Sequence, residues 1–409
     1  MTKSNWEKIK LGDIADVVGG GTPSTKEDSF WNGNVPWLTP KDLSGYNSRY
    51  ITRGERNISD EGLKNSSATL IPAETVLLTS RAPIGYVAIA KNPISTNQGF
   101  KSLVLKKGHY PLFYYYLLKA NVEYLRNMGT GSTFKEVSGS VVKGLTFYIP
   151  TTFDEQKRIA GILGAFDDKI ELLQKQNKTL EDMAKAIFKS WFVDFDIVKA
   201  KQKGLPKADI IREYHLTQEL YDLFPSTFTD SPLGPIPTGW EVKTVQDIAK
   251  VFSGKRPQSA QDQKSLTHNI AVYGGNGIKW WTETPLYTTP IIITGRVGTL
   301  GQVYRIYDPV WISDNALVFE THLDNFEYLF YMLKNVDFAS FNRGSTQPLI
   351  TQGDIKNISL VYSAEIIKEF HNIVVEYEKK ILLNNKQIQT LTELRDTLLP
   401  PLISGKIRV

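Results

Sequence analysis

The sequence predicts an α+β protein made of two repeated globular domains, each followed by a long helix. Three observations support this fold class. An apolar seam with heptad spacing runs through residues 154–192, a second runs through the C-terminal part, and the opening stretch of the chain recurs beyond its middle. Heptad spacing is typical of coiled coils. Short runs rich in Val, Ile and aromatic residues predict curved, mostly antiparallel sheets in the globular parts.

The first seam consists of two rows of mostly apolar residues on one helix. Successive members lie alternately four and three residues apart, which gives a narrower stripe than an ordinary surface helix has. About 38 residues at about 1.5 Å each predict a rod of about 57 Å. The rows are Ile159, Phe166, Leu173, Leu180 and Ile187, and Leu163, Ile170, Asn177, Ala184 and Trp191.

The second seam starts after Ser363, a good N-cap, and we expect Pro400-Pro401 to stop its helix. Two matching seams in one chain most simply pair with each other, although a solitary seam would indicate a homodimer. Its rows are Ile367, Val374, Ile381, Ile388 and Arg395, and Phe370, Tyr377, Asn384, Leu391 and Leu398.

The chain contains an internal duplication. Trp6-Glu7 opens a stretch that recurs from Trp240-Glu241, Arg81 is echoed by Arg296, and Ile170 by Ile381. The order in each copy is globular domain and then long helix. Most of the length difference between the copies accumulates between residues 15 and 81. Two domains that recognise different targets would need such a difference in length, whereas a purely structural repeat would not.

Both strands and helices are predicted inside the domains, and the segment between the domains has a different composition. Strands are predicted at Thr75–Ser80, Tyr86–Ala90, Pro290–Thr294 and Val310–Phe319, and helices at Pro111–Arg126 and Phe326–Asn335. Five prolines and three glycines exclude a continuous helix across residues 199–239. This segment is predicted to be a connector with a short helix near Ile210–Leu220.

Composition favours a cytoplasmic protein without a metal. The 409 residues include no cysteine and five scattered histidines, the start MTKSNWEKIK is no signal peptide, and no apolar run approaches a membrane span. A net charge of +5 leans weakly toward an anionic partner.

No convincing catalytic motif is present. Ser253-Gly254-Lys255-Arg256 lacks the spacing and the hydroxyl residue of a phosphate-binding loop. Asn92-Pro93-Ile94 lacks the string typical of amino-methyltransferases. Asp194 and Asp196 are predicted to be the solvated edge of a helix end rather than an acid–base pair.

The domains do offer basic side chains beside aromatic ones, in the regions where the two copies differ. Arg and Lys can neutralise phosphates or read guanine edges. Arg81 and Arg296, and the Ser-Thr pairs Ser132-Thr133 and Ser345-Thr346, recur in both copies and predict framework or phosphate contacts. The candidate DNA-binding residues are Lys41, Arg49, Arg53, Arg56, Arg81, Ser132, Thr133, Lys135, Arg256, Lys279, Trp280, Arg296, Arg343 and Thr346.

The chain resembles the specificity subunit of Type I restriction–modification systems over essentially its full length. The segments that carry the resemblance are Trp6–Ala15, Gly20-Gly21-Thr22-Pro23, Val35-Pro36-Trp37-Leu38, Arg81-Ala82-Pro83-Ile84-Gly85, Phe188–Asp196 and Leu233–Trp240. The resemblance implies two target-recognition domains joined by two antiparallel spacer helices, with no catalysis in this chain. It implies a split double-stranded DNA target, two modification subunits that methylate adenine from S-adenosylmethionine, and two restriction subunits that use ATP and Mg.

We therefore expect five segments: a first target-recognition domain at 1–151, a spacer helix at 152–198, a connector at 199–239, a second domain at 240–362, and a second helix with a tail at 363–409. One alternative is a coiled-coil scaffold that joins two protein-binding modules without nucleic acid. Another is a self-sufficient methyltransferase, which the missing cofactor motifs oppose.

The two seams also predict their own register. Pairing Asn177 with Asn384 in an antiparallel arrangement places Leu173 against Ile388, and Phe166 against Arg395 near a rod end, where the guanidinium could reach water. A polar pair within an apolar seam favours one register at some cost in stability. The alternative is that each asparagine faces solvent.

Overall fold

The computed structural model describes residues 5–131, 135–297, 300–341, 343 and 349–409. Within these residues, no helix is both long and apolar enough to cross a membrane. The chain forms two compact units. Unit 1 comprises Met1–Lys175 and Asn384–Val409, and unit 2 comprises Gln176–Leu383.

Among its described residues, the globular part of unit 1 contains five short α-helices, two 3-10 helical turns (Asp28–Phe30 and Pro40–Leu43) and ten strands. Its helices are α1 (Leu11–Ile14), α2 (Asp60–Lys64), α3 (Pro111–Ala120), α4 (Val122–Asn127) and α5 (Gly139–Gly144). Its strands are β1 (Trp6–Lys10), β2 (Ala15–Gly19), β3 (Trp31–Leu38), β4 (Tyr50–Ile51), β5 (Arg56–Ile58), β6 (Val76–Leu78), β7 (Val87–Ala90), β8 (Ser95–Thr96), β9 (Lys101–Leu105) and β10 (Thr146–Pro150).

Two sheets and one strand pair organise these strands. One sheet has the order β2-β9-β6-β7-β4 and the other the order β5-β3-β8, while β1 pairs antiparallel with β10. Among the described pairs of this domain, β3 with β8 and β4 with β7 are parallel and the others are antiparallel.

Two long helices and a connector follow the same chain order as the prediction. The first long helix is α6 (Phe153–Phe188), which continues into a π-helical turn at Lys189–Val193. The connector holds three short helices and a two-stranded pair, rather than one short helix. These elements are α7 (Asp196–Gln202), α8 (Lys207–Glu213), α9 (Gln218–Leu223), β11 (Phe228–Thr229) and β12 (Ile236–Pro237).

The globular part of unit 2 repeats the framework of the first domain. Its strands are β13 (Glu241–Thr244), β14 (Ala249–Ser253), β15 (Ile270–Gly274), β16 (Gly277–Thr282), β17 (Ile291–Gly295), β18 (Val303–Ile306), β19 (Trp311–Ile312), β20 (Ala316–Thr321) and β21 (Ser359–Tyr362). Its helices are α10 (Val245–Ile248), α11 (Leu323–Lys334) and α12 (Gln352–Lys356), and the chain ends with α13 (Ala364–Ile403).

Strand pairing shows the duplication directly. The order β14-β20-β17-β18 matches β2-β9-β6-β7, the order β16-β15-β19 matches β5-β3-β8, and β13 pairs with β21 as β1 does with β10. The two copies differ just after the first strand of the three-stranded sheet, which is β3 in unit 1 and β15 in unit 2. There β15 and β16 form a tight hairpin, whereas β3 and β5 are separated by a longer segment that includes β4. The predicted fold class is confirmed.

Apolar packing joins each domain to the helix segments of its own unit. In unit 1, Phe113 and Tyr114 of α3 share a core with Ile159 and Leu163 of α6. In unit 2, Phe188 lies 5.8 Å from Tyr328 and 5.9 Å from Phe370, measured between ring centroids. Aromatic pairs at such distances add to the stabilisation from burial.

The two long helices run antiparallel within unit 1. Glu155 near the start of α6 lies 3.8 Å from Arg408, while Asp167, further along, binds Arg395 at 2.6 Å. Arg395 therefore lies close to its expected position beside Phe166, and its guanidinium is only partly open to water. Its side chain is only 17% exposed, because Asp167 and Asp396 hold it.

The predicted register pairs two asparagines of the long helices. Asn177 and Asn384 are both buried, so the alternative in which each faces solvent is wrong. Contact between them remains a prediction.

The expectation that Pro400-Pro401 stops the second helix is also wrong, because α13 includes both prolines and ends at Ile403. Beyond that point, Ser404 and Ile407 donate backbone hydrogen bonds to the carbonyls of Pro400 and Pro401, and Gly405 adopts a positive φ of 70°.

Candidate nucleic-acid interface

Loops from several strands converge in the first domain and form what we term the first loop cluster: residues 19–23, 39–42, 53–56, 80–83, 97–101 and 135–136. The Gly21 amide donates to the Thr96 carbonyl at 2.9 Å, and the Ser80 amide donates to the Gly99 carbonyl at 2.7 Å. The amide of Glu55 donates to Asp42 at 2.7 Å. Backbone hydrogen bonds therefore hold the candidate contact residues on one fixed framework.

A glycine at the start of this cluster recurs for a steric reason. A Cβ on Gly20 would lie 2.1 Å from the carbonyl oxygen of Asn97, and one on Gly254 would lie 2.3 Å from that of Ser313. No side chain fits at either position, so the first residue after β2 and after β14 must be glycine.

Exposed cations stand on this framework. Lys41 is 80% exposed in its side chain and donates to Glu55 at 2.9 Å, a hydrogen bond that raises the pKa of Lys41. Arg81 and Lys101, whose side chains are 37% and 17% exposed, share the carboxylate of Glu136, at 3.4 and 3.5 Å. The exposed pair of Lys41 with Glu55 contributes little stability, so a phosphate could replace the Glu55 carboxylate at small cost.

The other predicted cations of the first domain divide into exposed and buried. Arg53, Arg56 and Lys135 are exposed. The guanidinium carbon of Arg56 lies 3.7 Å from the ring centroid of Trp31, an arrangement that restrains the side chain and leaves its charge accessible.

Arg49 corrects the prediction of a DNA contact. Its side chain is 7% exposed and donates to Asp168 and to Glu171, the latter at 3.3 Å, and to the Gly164 carbonyl at 3.3 Å. Burial works against its charge, but the hydrogen bonds to the two carboxylates more than offset this and raise the pKa of Arg49. Arg49 therefore anchors the first domain to α6.

The second domain has an equivalent second loop cluster: residues 253–256, 274–279, 295–297 and 312–315. The Lys255 amide donates to the Ile312 carbonyl at 2.8 Å, and the Arg296 amide donates to the Asn315 carbonyl at 3.0 Å. The hairpin tip packs closely, since a Cβ on Gly275 would lie 2.8 Å from the Cα of Gly295. A cavity of about 430 Å³ opens here, lined by Gly274–Lys279 with Val297 and Asn315.

Exposed cations also lie beside aromatic rings in this domain. Arg256 and Lys279 are exposed. The ammonium of Lys279 lies 4.0 Å from the ring centroid of Trp280, on the hairpin strand β16. Arg343 is 68% exposed in its side chain and pairs with Asp354.

Arg296 does not occupy the place of Arg81. Its amide and carbonyl bond to Asn315 and Ile350, as those of Ser80 bond to Gly99 and Val137. The register is therefore shifted by one residue, which sends the two arginine side chains in different directions. Arg296 is partly buried and donates to Ser253 at 3.1 Å, so its first role is to brace the second loop cluster.

Three predicted contacts, Ser132, Thr133 and Thr346, lie outside the described residues, as does Ser345. Sequence reasoning missed Lys101 and Lys255, which the framework brings into the two clusters. Lys255 could have been found as a neighbour of Arg256, but Lys101 gives no signal because it begins a mostly apolar strand. Across the described part of the chain, no three His, Asp or Glu side chains are grouped so as to hold a metal ion.

The sequence matches the family described as Type I restriction modification DNA specificity domain, over residues 3–182 and 237–393. The two matched segments contain both globular domains. The chain belongs to this family. Among its relatives, the MjaIX specificity subunit of Methanocaldococcus jannaschii is 35% identical over 432 residues, which cover 99% of this chain and 94% of the relative.

A second relative agrees with membership of the specificity family, and a solved structure shares the fold. The HindI specificity subunit of Haemophilus influenzae is 25% identical and covers 99% of this chain and 100% of its own length. The crystal structure of a Type I restriction–modification S subunit from M. genitalium has a TM-score of 0.61 at 18% identity, and covers 98% of this chain and 97% of that one. This last likeness concerns the fold alone.

Proposed function

We propose that this specificity subunit reads a bipartite double-stranded DNA target, with one half-site bound by each loop cluster. One observation carries the proposal: a single hydrogen-bonded framework occurs twice, and exposed cations stand on it in the loops where the copies differ. A shared framework supplies phosphate contacts, which position a protein without reading sequence, and divergent loops supply the base contacts. Two clusters with different loops fit two different half-sites.

We further propose that the chain directs partner enzymes and is itself non-catalytic. In this proposal it acts in the cytoplasm and holds no cofactor. S-adenosylmethionine then belongs to two modification subunits, and ATP and Mg belong to two restriction subunits.

An exposed face on the long helices supports two identical partner sites. Leu172 and Met183 of α6 are exposed, as are Leu383 and Leu394 at the equivalent positions of α13. Burial does not explain a recurrence at exposed positions, yet Lys, Gln and Thr also recur on this face. These further pairs are Lys169 with Lys380, Gln176 with Gln387, and Thr179 with Thr390.

The decisive experiment for the bipartite target is sequencing of methylated bases in cells with and without the gene. A split motif that disappears with the gene is the expected result, and a methylation pattern unaffected by the gene would contradict the proposal. Purified alone, the chain should retain DNA in a salt-dependent manner and should not methylate it when S-adenosylmethionine is added.

The partner face has its own test. Replacing both Leu172 and Leu383 with Glu should greatly reduce co-purification of the modification subunit, because two charges would enter apolar contacts. Asn385→Glu, at an exposed position of α13 about 160° around the helix from Leu383, is the matched control. Equal co-purification of both variants would exclude this face as the docking surface.

A further inference from the structure

Each long helix carries one buried carboxylate at the same position of the repeat. The alignment that places Ile170 on Ile381 also places Asp167 of α6 on Glu378 of α13. Their side chains are 8% and 4% exposed. A buried carboxylate is costly unless donors compensate it, so the recurrence of one in both copies points to a use for it.

In unit 1 the donors to Asp167 come from the domain and from the other helix. The hydroxyl of Tyr116, on α3, donates to one carboxylate oxygen, and Arg395 of α13 donates to the other at 2.6 Å. Tyr116 is itself 1% exposed. The bond from Tyr116 thus ties the domain to α6 inside the packed core.

In unit 2 the donor to Glu378 is Arg305, on β18. The guanidinium donates to Glu378 and, at 2.7 Å, to Glu327 of α11, and it lies 4.3 Å from the ring centroid of Phe330. Tyr307 completes the network by donating to Glu327 at 2.7 Å. Only 10% of the Arg305 side chain is exposed.

The acceptor position is kept between the copies, while the donor is replaced. When Asn121 is matched to Asn335, which make the same helix-end hydrogen bond, Tyr116 falls on Phe330. A donor on a helix in one domain thus gives way to a donor on a strand in the other. Mere inheritance of a packing arrangement would have kept both partners.

We propose that Asp167 and Glu378 are positioning residues that fix the orientation of each recognition domain on its long helix, and so determine how strictly the distance between half-sites is read. This inference rests on the proposed function. Charge-assisted hydrogen bonds are directional, whereas apolar side chains can slide against one another at smaller cost. A domain held only by apolar contacts would therefore rock more easily.

The geometry of DNA makes this orientation matter. One base pair added between two half-sites moves the second by about 3.4 Å and rotates it by about 35° around the duplex axis. A rigidly held domain cannot follow that rotation, so the wrong spacer is rejected. A domain released from its carboxylate can follow it in part.

The test uses the methylating complex with Tyr116→Phe or Glu378→Gln in this chain. Both variants keep the shape of the side chain: Tyr116→Phe removes the hydrogen bond to Asp167, and Glu378→Gln removes the negative charge that strengthens the bond from Arg305. We expect unchanged half-sites and about tenfold more methylation at spacers one base pair longer or shorter, since such a bond is worth about a factor of ten in discrimination. Glu376→Gln, on the exposed side of α13 with its side chain 65% exposed, is the control and should keep the spacer strict.

Unchanged spacer selectivity in both variants would overturn the inference while leaving the bipartite target intact. Loss of all methylation in a complex that remains folded by circular dichroism would also overturn it, since the two residues would then serve assembly or target reading. By contrast, the proposed function itself would fail if the unaltered complex methylated no split motif.

Discussion

Exposed arginine and lysine side chains differ sharply from buried ones in what they can do in this molecule. Arg56 and Lys279 rest on tryptophan rings and keep their charges at the surface. Arg49 and Arg305 are enclosed, and each is neutralised by two carboxylates. The first kind can release counterions from a DNA backbone, whereas the second kind secures packing.

The exposed cations lead to a prediction on salt dependence. Arg56→Ala and Lys279→Ala should each lower DNA affinity and reduce the slope of log affinity against log salt by about one, because each removes one phosphate contact. Fluorescence anisotropy with a target duplex between low and moderate salt measures the slope. Arg49→Met should leave the slope unchanged but lower the stability of unit 1. A changed slope in this variant would show that Arg49 contacts DNA after all.

Glu378 leads to a prediction on pH. Burial raises its pKa to about 7, against the lowering effect of Arg305, while Glu327 and Glu181 face it with like charge. Lys334, whose own pKa burial lowers, also lies within its electrostatic reach. The folded state holds this proton more tightly than the unfolded chain, so the stabilisation is full below about pH 4.5 and is lost as the pH rises through about 7.

Glu378→Gln should remove that dependence. Relative to this variant, the unaltered chain should lose about 2 to 3 kcal/mol of unfolding free energy between pH 5 and pH 8. Urea titrations followed by tryptophan fluorescence at the two pH values provide the comparison, with Glu376→Gln as the control. A constant difference between the two proteins across this range would show that Glu378 titrates normally.

At the level of elements, the long helices were predictable because their pattern is local and periodic. The seam placed α6 and α13 to within a few residues, and the start after Ser363 was confirmed. The end of α13 was not predictable from Pro400-Pro401. Each proline removes one helical hydrogen bond, but Leu402 and Ile403 beyond them are buried in the core of unit 1, which offsets that loss. Strand pairing needed the structure, since β3 pairs parallel with β8 far along the chain.

The candidate site was predicted less completely than the helices, again for a physical reason. Composition identified loops rich in Arg and Lys, and most of these side chains are exposed. Sequence distance could not reveal that Arg49 meets Asp168 of α6, nor that one residue of register separates Arg296 from Arg81. Both facts depend on long-range packing.

The seam leads to a prediction that the absence of cysteine makes easy to test. Asn177→Cys combined with Asn384→Cys should form a disulfide within one chain under mild oxidation if the predicted register, which pairs these two positions, is correct. Asn177→Cys with Lys386→Cys, which replaces an exposed residue of α13, should not. A cross-linked dimer on a non-reducing gel would instead support pairing between two chains.

At the level of the whole molecule, the repeat separates what is shared from what differs. The shared framework includes the glycines that no side chain can replace, Gly20 and Gly254. The difference lies in the segment between β3 and β5, for which the second domain has only the hairpin of β15 and β16. A molecule of this design can alter one loop cluster without altering the other.

Replacing the second domain should therefore change half of the target. Exchange of residues 240–362 for those of a relative should give a methylated motif with one new half-site, the other half-site and the partner subunits remaining the same. Sequencing of methylated bases gives the result directly. A change in both half-sites would contradict independent reading by the two domains.

The pairing of the first and last strands of each domain has a consequence for inheritance. Because β1 lies beside β10 and β13 beside β21, each domain enters and leaves at the same place, and the chain on either side meets it there. A genetic crossover in the segments that encode these strands would replace a complete recognition domain in one event and would keep the long helices in the same reading frame. If each domain reads one half-site, recombination between related genes could thus give a cell a new DNA specificity in a single step.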